Sequence, residues 1–347
     1  MYSQDSYRGC LIGGAAGDAL GYAVEFMLEK EIFERFGERG ITEYRLSKGT
    51  ALFSDDTQMT LFTAEGLLRG QPGYYTDSIR RAYLDWLKTQ EQDAPSSKES
   101  REALLRAVPE LYSRRAPGNT CLNALRAGGN GTPETPINHS KGCGGVMRVA
   151  PIGLYAGDRE TDTAAIARLG AQAAALTHGH PLGWLPAAAL AVIIHEIAAK
   201  DETVPAAALK AVHVLEKNWP EVPECRSLTG LIGKALELAG GNTEDQPAIH
   251  RLGEGWVGDE ALAIAVYCAA KYSGNLDGAL IAAVNHKGDS DSTGAIAGNI
   301  IGAQVGLSGI PDKYTEKLEQ RELILTVADG LWDRQHEKMQ ASFVRNR

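Results

Sequence analysis

The chain has 347 residues, which is enough for one large domain or two ordinary ones and for a substantial buried core. Hydrophobic residues make up 44% of the chain and charged residues 23%, a composition that excludes a disordered protein. The net charge is −9 and no basic cluster stands out, so nucleic acid is not an expected partner.

The cysteines are odd in number, are scattered along the chain and form no CxxC pair. This pattern argues against a disulfide framework and a zinc site, and it predicts a reducing compartment. The N-terminus lacks the pattern of a signal peptide, and no apolar run of 18 residues stands out, so we expect a cytoplasmic protein without a membrane span. The five cysteines are Cys10, Cys121, Cys143, Cys225 and Cys268.

Most of the sequence has apolar residues at the three- and four-residue spacing of amphipathic helices, with proline- and glycine-rich breakers between the segments. Alternating patterns typical of strands are nearly absent, with only a faint one at residues 45–48. We therefore expect a single all-α domain over residues 1–347. Ten helices are predicted at about residues 59–69, 76–89, 99–113, 160–178, 183–199, 204–217, 224–239, 258–272, 291–306 and 312–336.

Two further patterns involve glycine. One predicted helix carries Gly13, Gly17 and Gly21 at four-residue spacing, and residues 294–306 repeat that spacing. Each glycine costs a helix about 1 kcal/mol relative to alanine, so a stripe of them is expected where another helix packs closely. The loop at residues 128–145 is rich in glycine and lacks periodicity, which is typical of a functional loop.

The first acidic motif is Ser54-Asp55-Asp56 at the start of a predicted helix. Helix capping explains one such residue, because these side chains accept hydrogen bonds from the first N–H groups. Two adjacent carboxylates repel each other unless a cation lies between them, and they exceed what a cap requires. Capping and cation binding both remain open at this point.

The second acidic motif consists of Asp289, Asp291 and Ser292, again at the start of a predicted helix. An Asp-x-Asp pair followed by a hydroxyl offers three oxygen ligands, which suits Mg²⁺, Ca²⁺ or Mn²⁺. Neither motif has histidine or cysteine at ligand spacing, which disfavours zinc. If the two motifs converge, they provide ligands for two cations about 4 Å apart.

Three smaller signals accompany these motifs. Asp18 and Glu25 are seven residues apart and share one face if the first helix continues; the alternative is a solvated pair of acids. His178 lies in a predicted turn, where it binds a ligand or simply ends a helix. The backbone amides of residues 142–147 and Arg148 are suited to cradling phosphates, whereas Cys143 lacks a nearby basic partner for a role as a nucleophile.

Five motifs in this order resemble the ADP-ribosylglycohydrolase family, which includes the dinitrogenase-reductase-activating glycohydrolase: GGAAGDALGYAVE, SDDTQMT, KGCGGVMR, THGHP and NHKGDSDSTGAIAGNIIGA. The resemblance extends from about Gly13 to Gly306. It implies an orthogonal all-α bundle with a binuclear Mg²⁺ or Mn²⁺ centre. The metal ligands that it implies are Ser54, Asp55, Asp56, Asp289, Asp291 and Ser292.

The same resemblance implies roles for further residues. Glu25 matches a catalytic glutamate of some members, and Asp55 and Asp291 are carboxylates beside the metals. Cys143 is a departure, since many members have asparagine there, while Ser54 and Ser292 replace a frequent threonine. The residues expected to line the substrate site are Asp18, Gly142, Cys143, Gly144, Gly145, Met147, Arg148, His178 and Trp256.

The resemblance implies a hydrolase that removes ADP-ribose from modified protein side chains, with arginine as the expected linkage. The expected partners are an ADP-ribosylated protein, the product ADP-ribose and an ADP-ribosyltransferase of opposite action. Two alternatives remain open. One is a hydrolase of serine- or nucleic-acid-linked ADP-ribose, and the other is an immunity-type protein that neutralises an ADP-ribosylating toxin by binding it.

Overall fold

The computed structural model describes residues 3–94, 104–155 and 162–345, with side chains up to residue 334. In these ranges the protein is helical and forms no strand, which confirms the predicted all-α class. In chain order the α-helices are α1 Gln4–Gly21, α2 Glu29–Phe36, α3 Asp55–Arg69, α4 Tyr75–Glu91, α5 Asn119–Arg126, α6 Ala150–Tyr155, α7 Thr163–Ala175, α8 Pro181–Lys200, α9 Val204–Asn218, α10 Pro223–Ala239, α11 Asp245–Leu252, α12 Gly258–Lys271, α13 Leu276–Val284, α14 Ser290–Val305 and α15 Arg321–Arg345.

Two predicted helices differ from the structure. Residues 99–103 lie outside the described ranges, and the rest of that segment forms two 3₁₀ helices, Leu105–Ala107 and Pro109–Tyr112. Proline at the start of the second has no N–H group with which to continue a helix from Leu105. The segment predicted at 312–336 begins with a short 3₁₀ turn, and α15 starts only at Arg321, directly after the left-handed residue Gln320. The faint strand pattern at residues 45–48 contributes only an isolated bridge. The apolar periodicity did not predict five short helices, α2, α5, α6, α11 and α13.

Helix α8 is the apolar centre of the fold, and it corrects the expectation that no apolar run of 18 residues is present. It has 20 residues and a mean hydropathy of 1.7 over its most apolar 18-residue window, so it is long and apolar enough to cross a membrane. Every residue of that window is nevertheless buried by the rest of the chain. Helices α6, α7, α9 and α12 pack around it. Its apolar surface is thus covered as in the core helix of a globular fold.

The two glycine stripes pack against each other, as helices α1 and α14. A Cβ atom on Gly13 would lie 2.4 Å from the carbonyl oxygen of Gly298, and one on Gly298 would lie 2.0 Å from that of Gly13. The predicted role of the stripes in tight helix packing is confirmed. At the end of the same interface, a Cβ on Gly21 would lie 2.2 Å from the carbonyl oxygen of Ser290. The C-terminus of α1 is therefore held directly against the N-terminus of α14.

Candidate metal and catalytic site

The candidate site lies where the C-terminus of α1 meets the N-termini of α3 and α14. The packing of the glycine stripes holds the C-terminus of α1 against the N-terminus of α14, and Asp18 on α1 holds the N-terminus of α3. The Asp18 carboxylate accepts hydrogen bonds from the backbone N–H of Ser54 (2.8 Å) and of Thr57 (2.9 Å), and another from the Thr57 hydroxyl. Asp18 therefore acts as a cap on α3, instead of facing a substrate as expected.

Capping does not account for the two acids of the first motif. Ser54 is the N-cap residue of α3, and its Oγ accepts from the N–H of Asp56 at 3.2 Å. Ser54 and Asp18 together accept the hydrogen bonds of the first N–H groups of α3. Asp55 accepts a hydrogen bond from the N–H of Gly118 at 3.3 Å, and Asp56 Oδ2 is buried without a partner among the described residues. Both carboxylates are available to a cation.

The carboxylates of the second motif take part in helix capping even less than those of the first. Asp289 is the N-cap residue of α14, yet within the described chain its carboxylate makes no capping hydrogen bond. Its N–H donates to the carbonyl of Glu254 at 2.9 Å, and its Oδ2 lies 2.6 Å from the thiol of Cys143. Asp291 Oδ1 accepts from the N–H of Ser292 at 2.9 Å. Carboxylates buried in this way are typical of cation sites.

Glu25 reaches the same place by a different route from the one expected. Helix α1 ends at Gly21, so Glu25 lies in the turn that follows and not on a continued helical face. Glu25, Asp289 and Asp291 each offer an oxygen atom, and these atoms lie within 4.8 Å of one another. Glu25 is only 7% exposed, and its Oε2 has no hydrogen-bond partner in the described structure. The alternative of solvated acids is therefore wrong.

Burial and mutual repulsion dominate the electrostatics of these carboxyls. Burial raises the pKa of Glu25 to about 10, with Asp291 as the strongest charged neighbour, and the same two causes raise the pKa of Asp18 to about 7. The pKa values of Asp55, Asp56 and Asp289 are also held well above the ordinary range, again by burial first and Asp291 second. The structure thus brings both acidic motifs together. Their oxygen donors and unpaired buried oxygens fit divalent cations, which would offset the repulsion.

The glycine loop and His178 are neighbours. Cys143–Gly145 forms a short 3₁₀ helix, and a Cβ on Gly144 would lie 3.1 Å from Cε1 of His178. Burial lowers the pKa of His178 to about 3, so the imidazole is neutral; its Nδ1 lies 2.8 Å from the Thr177 hydroxyl. The N–H of Cys143 donates to the carbonyl of Trp256, so at least one loop amide is engaged within the protein.

Arg148 differs most from its expected role. Its side chain is fully buried, with the guanidinium carbon 4.2 Å from the centre of the Tyr83 ring. Nη2 donates to the Thr177 hydroxyl at 2.7 Å and to the carbonyl of Ala173 at 3.2 Å. In this arrangement the guanidinium fixes the end of the loop to the turn after α7 and does not face a phosphate. Met147 is also buried, with its sulfur 3.8 Å from the hydroxyl of Ser292.

An aromatic pair lies beside the acidic cluster. Trp256, 41% exposed, stacks on Phe26, 75% exposed, with ring centroids 6.2 Å apart. Phe26 directly follows Glu25, so the pair joins the turn after α1 to the loop before α12. Phe26 was not among the residues expected at the site. The only signal for it was its position next to an acid of interest.

A model of the ADP-ribosylglycohydrolase family matches residues 2–341, and the chain therefore belongs to this family. The expected class of enzyme, a hydrolase of ADP-ribose linkages, is confirmed at the level of the family. The family uses divalent metals, and the buried acidic cluster described above is the feature of this chain that corresponds to that use.

Individual relatives agree with the family assignment. The ADP-ribosyl-[dinitrogen reductase] glycohydrolase of Rhodospirillum rubrum is 27% identical over 334 residues, which cover 91% of each chain. The ADP-ribosylarginine hydrolase Tri1 of Pseudomonas putida (strain GB-1) is 25% identical over 340 residues, or 95% of this chain and 78% of Tri1. A solved structure titled "ADP-ribosylglycohydrolase-related protein complex" superposes with a TM-score of 0.64 at 24% identity and covers 96% of this chain and 98% of its own. The expected fold is confirmed.

Proposed function

We propose that this protein hydrolyses the bond between ADP-ribose and arginine side chains of modified proteins, with two divalent cations, Mg²⁺ or Mn²⁺, and so reverses mono-ADP-ribosylation. One observation carries the proposal. Carboxylates from the turn after α1 and from the start of α14 are buried together within 4.8 Å, and an oxygen of Glu25 has no partner among the described residues. Such a cluster is costly to fold and is expected where charge is needed for binding or catalysis.

The residues that would hold the cations are those at the two helix starts. Bound divalent cations supply positive charge that orients the ribose hydroxyls and favours ionisation of an attacking water. The chain contributes the carboxylates whose repulsion that charge offsets, and it fixes them by helix packing and by the Asp18 cap. The proposed ligands are Ser54, Asp55, Asp56, Asp289, Asp291 and Ser292.

Glu25 is the proposed general base. It lies in a turn beside Asp289 and Asp291, and the charge of bound cations would lower its raised pKa, so that Oε2, which has no hydrogen-bond partner among the described residues, accepts a proton from water. The water oxygen forms a bond to the anomeric carbon of the ribose as the bond from that carbon to the guanidinium nitrogen breaks. The group leaves as neutral guanidine, which takes the electron pair of that bond and is then protonated by solvent. The sugar passes through a transition state with oxocarbenium character, and the neighbouring carboxylates favour its positive charge.

Charge also supports the arginine linkage. A guanidinium group is cationic, and the net charge of −9 together with the buried carboxylates of the site attracts it. A serine linkage carries no such charge, and its alkoxide leaving group requires a general acid in addition to the base. The relative Tri1, named as an ADP-ribosylarginine hydrolase, is in line with this choice.

Two peptides, one ADP-ribosylated on arginine and the other on serine, test the proposal when assayed side by side with Mg²⁺ or Mn²⁺. We expect faster release of ADP-ribose from arginine and no release after chelation of the metal. Faster release from serine would overturn the linkage. Full release without divalent cations would overturn the metal centre, and no release from either peptide would overturn hydrolysis itself.

A further inference from the structure

The acidic cluster includes a sulfur atom that the oxygen-ligand description does not use. Cys143 Sγ lies 2.6 Å from Asp289 Oδ2, although the two residues are 146 positions apart. Both are held by the same short segment of backbone. The N–H of Cys143 donates to the carbonyl of Trp256 at 3.3 Å, and the N–H of Asp289 donates to the carbonyl of Glu254 at 2.9 Å. The thiol and the carboxylate are therefore placed against each other by main-chain bonds.

The surroundings of this thiol are those of a ligand group. The Cys143 thiol donates to Asp289, and its pKa is raised by burial first and by the charges of Asp289 and Asp56 after it. Asp56 is 3% exposed, and its Oδ2 has no partner within the described chain. Glu25, whose carboxylate lies within 4.8 Å of those of Asp289 and Asp291, also has a buried oxygen, Oε2, without a partner in the described structure. The sulfur thus contacts one carboxylate of the cluster, and two other acids of the site, Asp56 and Glu25, each have a buried oxygen without a partner in the described ranges.

We propose that Cys143 is a sulfur ligand in the metal centre, which lets the centre bind a thiophilic divalent cation such as Zn²⁺ or Cd²⁺ together with Asp289. The inference rests on the metal centre of the proposed function. The bond from sulfur to the cation forms as the thiol proton leaves to solvent, since a thiolate and not a thiol ligates metals. Mg²⁺ prefers oxygen ligands only, whereas zinc and cadmium accept sulfur readily. Such cations compete with Mg²⁺ for this site.

The local sequence does not indicate a sulfur ligand, because no cysteine lies at ligand spacing from either acidic motif. The fold supplies the sulfur from the glycine loop instead. A consequence is that Zn²⁺ displaces the hard cations and slows turnover, and that the loss of the sulfur weakens this inhibition selectively.

Spectroscopy of cadmium binding tests the proposal without relying on activity. Metal-free wild type, Cys143→Ser and Cys225→Ser are titrated with Cd²⁺ while the ultraviolet absorption of the thiolate–cadmium bond is recorded. Cys225 is the matched control because its thiol lies in α10, outside the acidic cluster. We expect the band at one equivalent in wild type and Cys225→Ser and its loss in Cys143→Ser. Cadmium affinity should fall at least about tenfold, since even the outer partners of metal ligands contribute that much.

Binding of Mn²⁺, followed by electron paramagnetic resonance, separates the possible failures. Retained Mn²⁺ binding in Cys143→Ser shows that this variant is folded with its oxygen ligands in place, and Cys143→Asn provides a second variant for the same comparison. An undiminished cadmium band in both variants would overturn the sulfur ligand. Wild-type protein that binds Mn²⁺ without a cadmium band would overturn it equally and leave the metal centre standing. Wild type that binds neither cation would refute the centre itself.

Discussion

Two acidic regions at the end of α1, seven residues apart, have opposite surroundings. Asp18, in the last turn of the helix, accepts three hydrogen bonds from Ser54 and Thr57. Glu25, in the following turn, has an oxygen with no partner among the described residues, although it is also buried. The satisfied carboxylate stabilises the start of α3. The unsatisfied one costs folding free energy, as is typical of groups retained for function.

The largest effect is expected at Asp291, the charge that acts on both regions. Its carboxylate is the strongest charged neighbour of Asp18 and of Glu25. Asp291→Asn should weaken Mn²⁺ binding and reduce turnover to background while circular dichroism shows the same helical content. Asp77→Asn, at a surface acid of α4 paired with Arg80 and Arg81, is the control and should behave as wild type. Unchanged activity with stoichiometric metal in Asp291→Asn would refute the assignment.

Glu25→Gln tests the unsatisfied side of the comparison. Because the amide cannot take a proton from water, the rate constant kcat should fall about a hundredfold or more. The free energy of unfolding of the metal-free protein should stay the same or rise, since Glu25 must bind a proton on folding at neutral pH and the amide need not. Steady-state kinetics and urea denaturation measure the two effects, with Glu34→Gln on the exposed face of α2 as the control. Wild-type kcat in Glu25→Gln would transfer the role of base to a carboxylate beside the metals.

Asp18→Asn tests the satisfied side. The N–H groups of Ser54 and Thr57 bond different oxygens of Asp18, and in the amide one of these oxygens becomes an NH2 group that cannot accept, so a buried donor loses its partner. We expect the free energy of unfolding to fall by about 1–3 kcal/mol. The loss of kcat per folded molecule should be smaller than that of Glu25→Gln. Stability equal to wild type, or a loss of kcat as large as that of Glu25→Gln, would place Asp18 among the catalytic groups.

The sequence predicts the local part of this arrangement. Glycine at four-residue spacing indicates close packing because the spacing lies within one helix, but it does not say that α1 and α14 are each other's partners. The acidic motifs likewise identify two helix starts that offer oxygen ligands. Whether these starts meet depends on the packing of glycines that lie almost 300 residues apart, such as Gly13 and Gly298.

Side-chain direction was the part that sequence could not give. An arginine after a glycine loop has the same sequence pattern whether its side chain points towards a bound phosphate or into the interior. Tyr83 and Thr177, from distant segments, turn Arg148 into the interior. Glu25 reached its expected neighbours although α1 ends before it, because the turn after Gly21 brings its carboxylate within 4.8 Å of those of Asp289 and Asp291. Local periodicity carries no information about such turns.

The last effect is the pH dependence of the metal-free protein, to which both regions contribute with the same sign. The pKa of Asp18 is raised from 3.8 to about 7 and that of Glu25 from 4.5 to about 10. Between the unfolded and folded values the native state binds protons that the unfolded state has lost, so the stability contributed by these groups is present below about pH 4 and declines as the pH rises. In chelator, unfolding by urea should therefore require less denaturant at pH 8 than at pH 5. Asp18→Asn should flatten the decline only up to about pH 7, and Glu25→Gln should flatten it both below and above pH 7, while saturating Mn²⁺ should weaken the dependence in wild type. A stability that rises from pH 5 to pH 8 in chelator would contradict the account of both carboxyls.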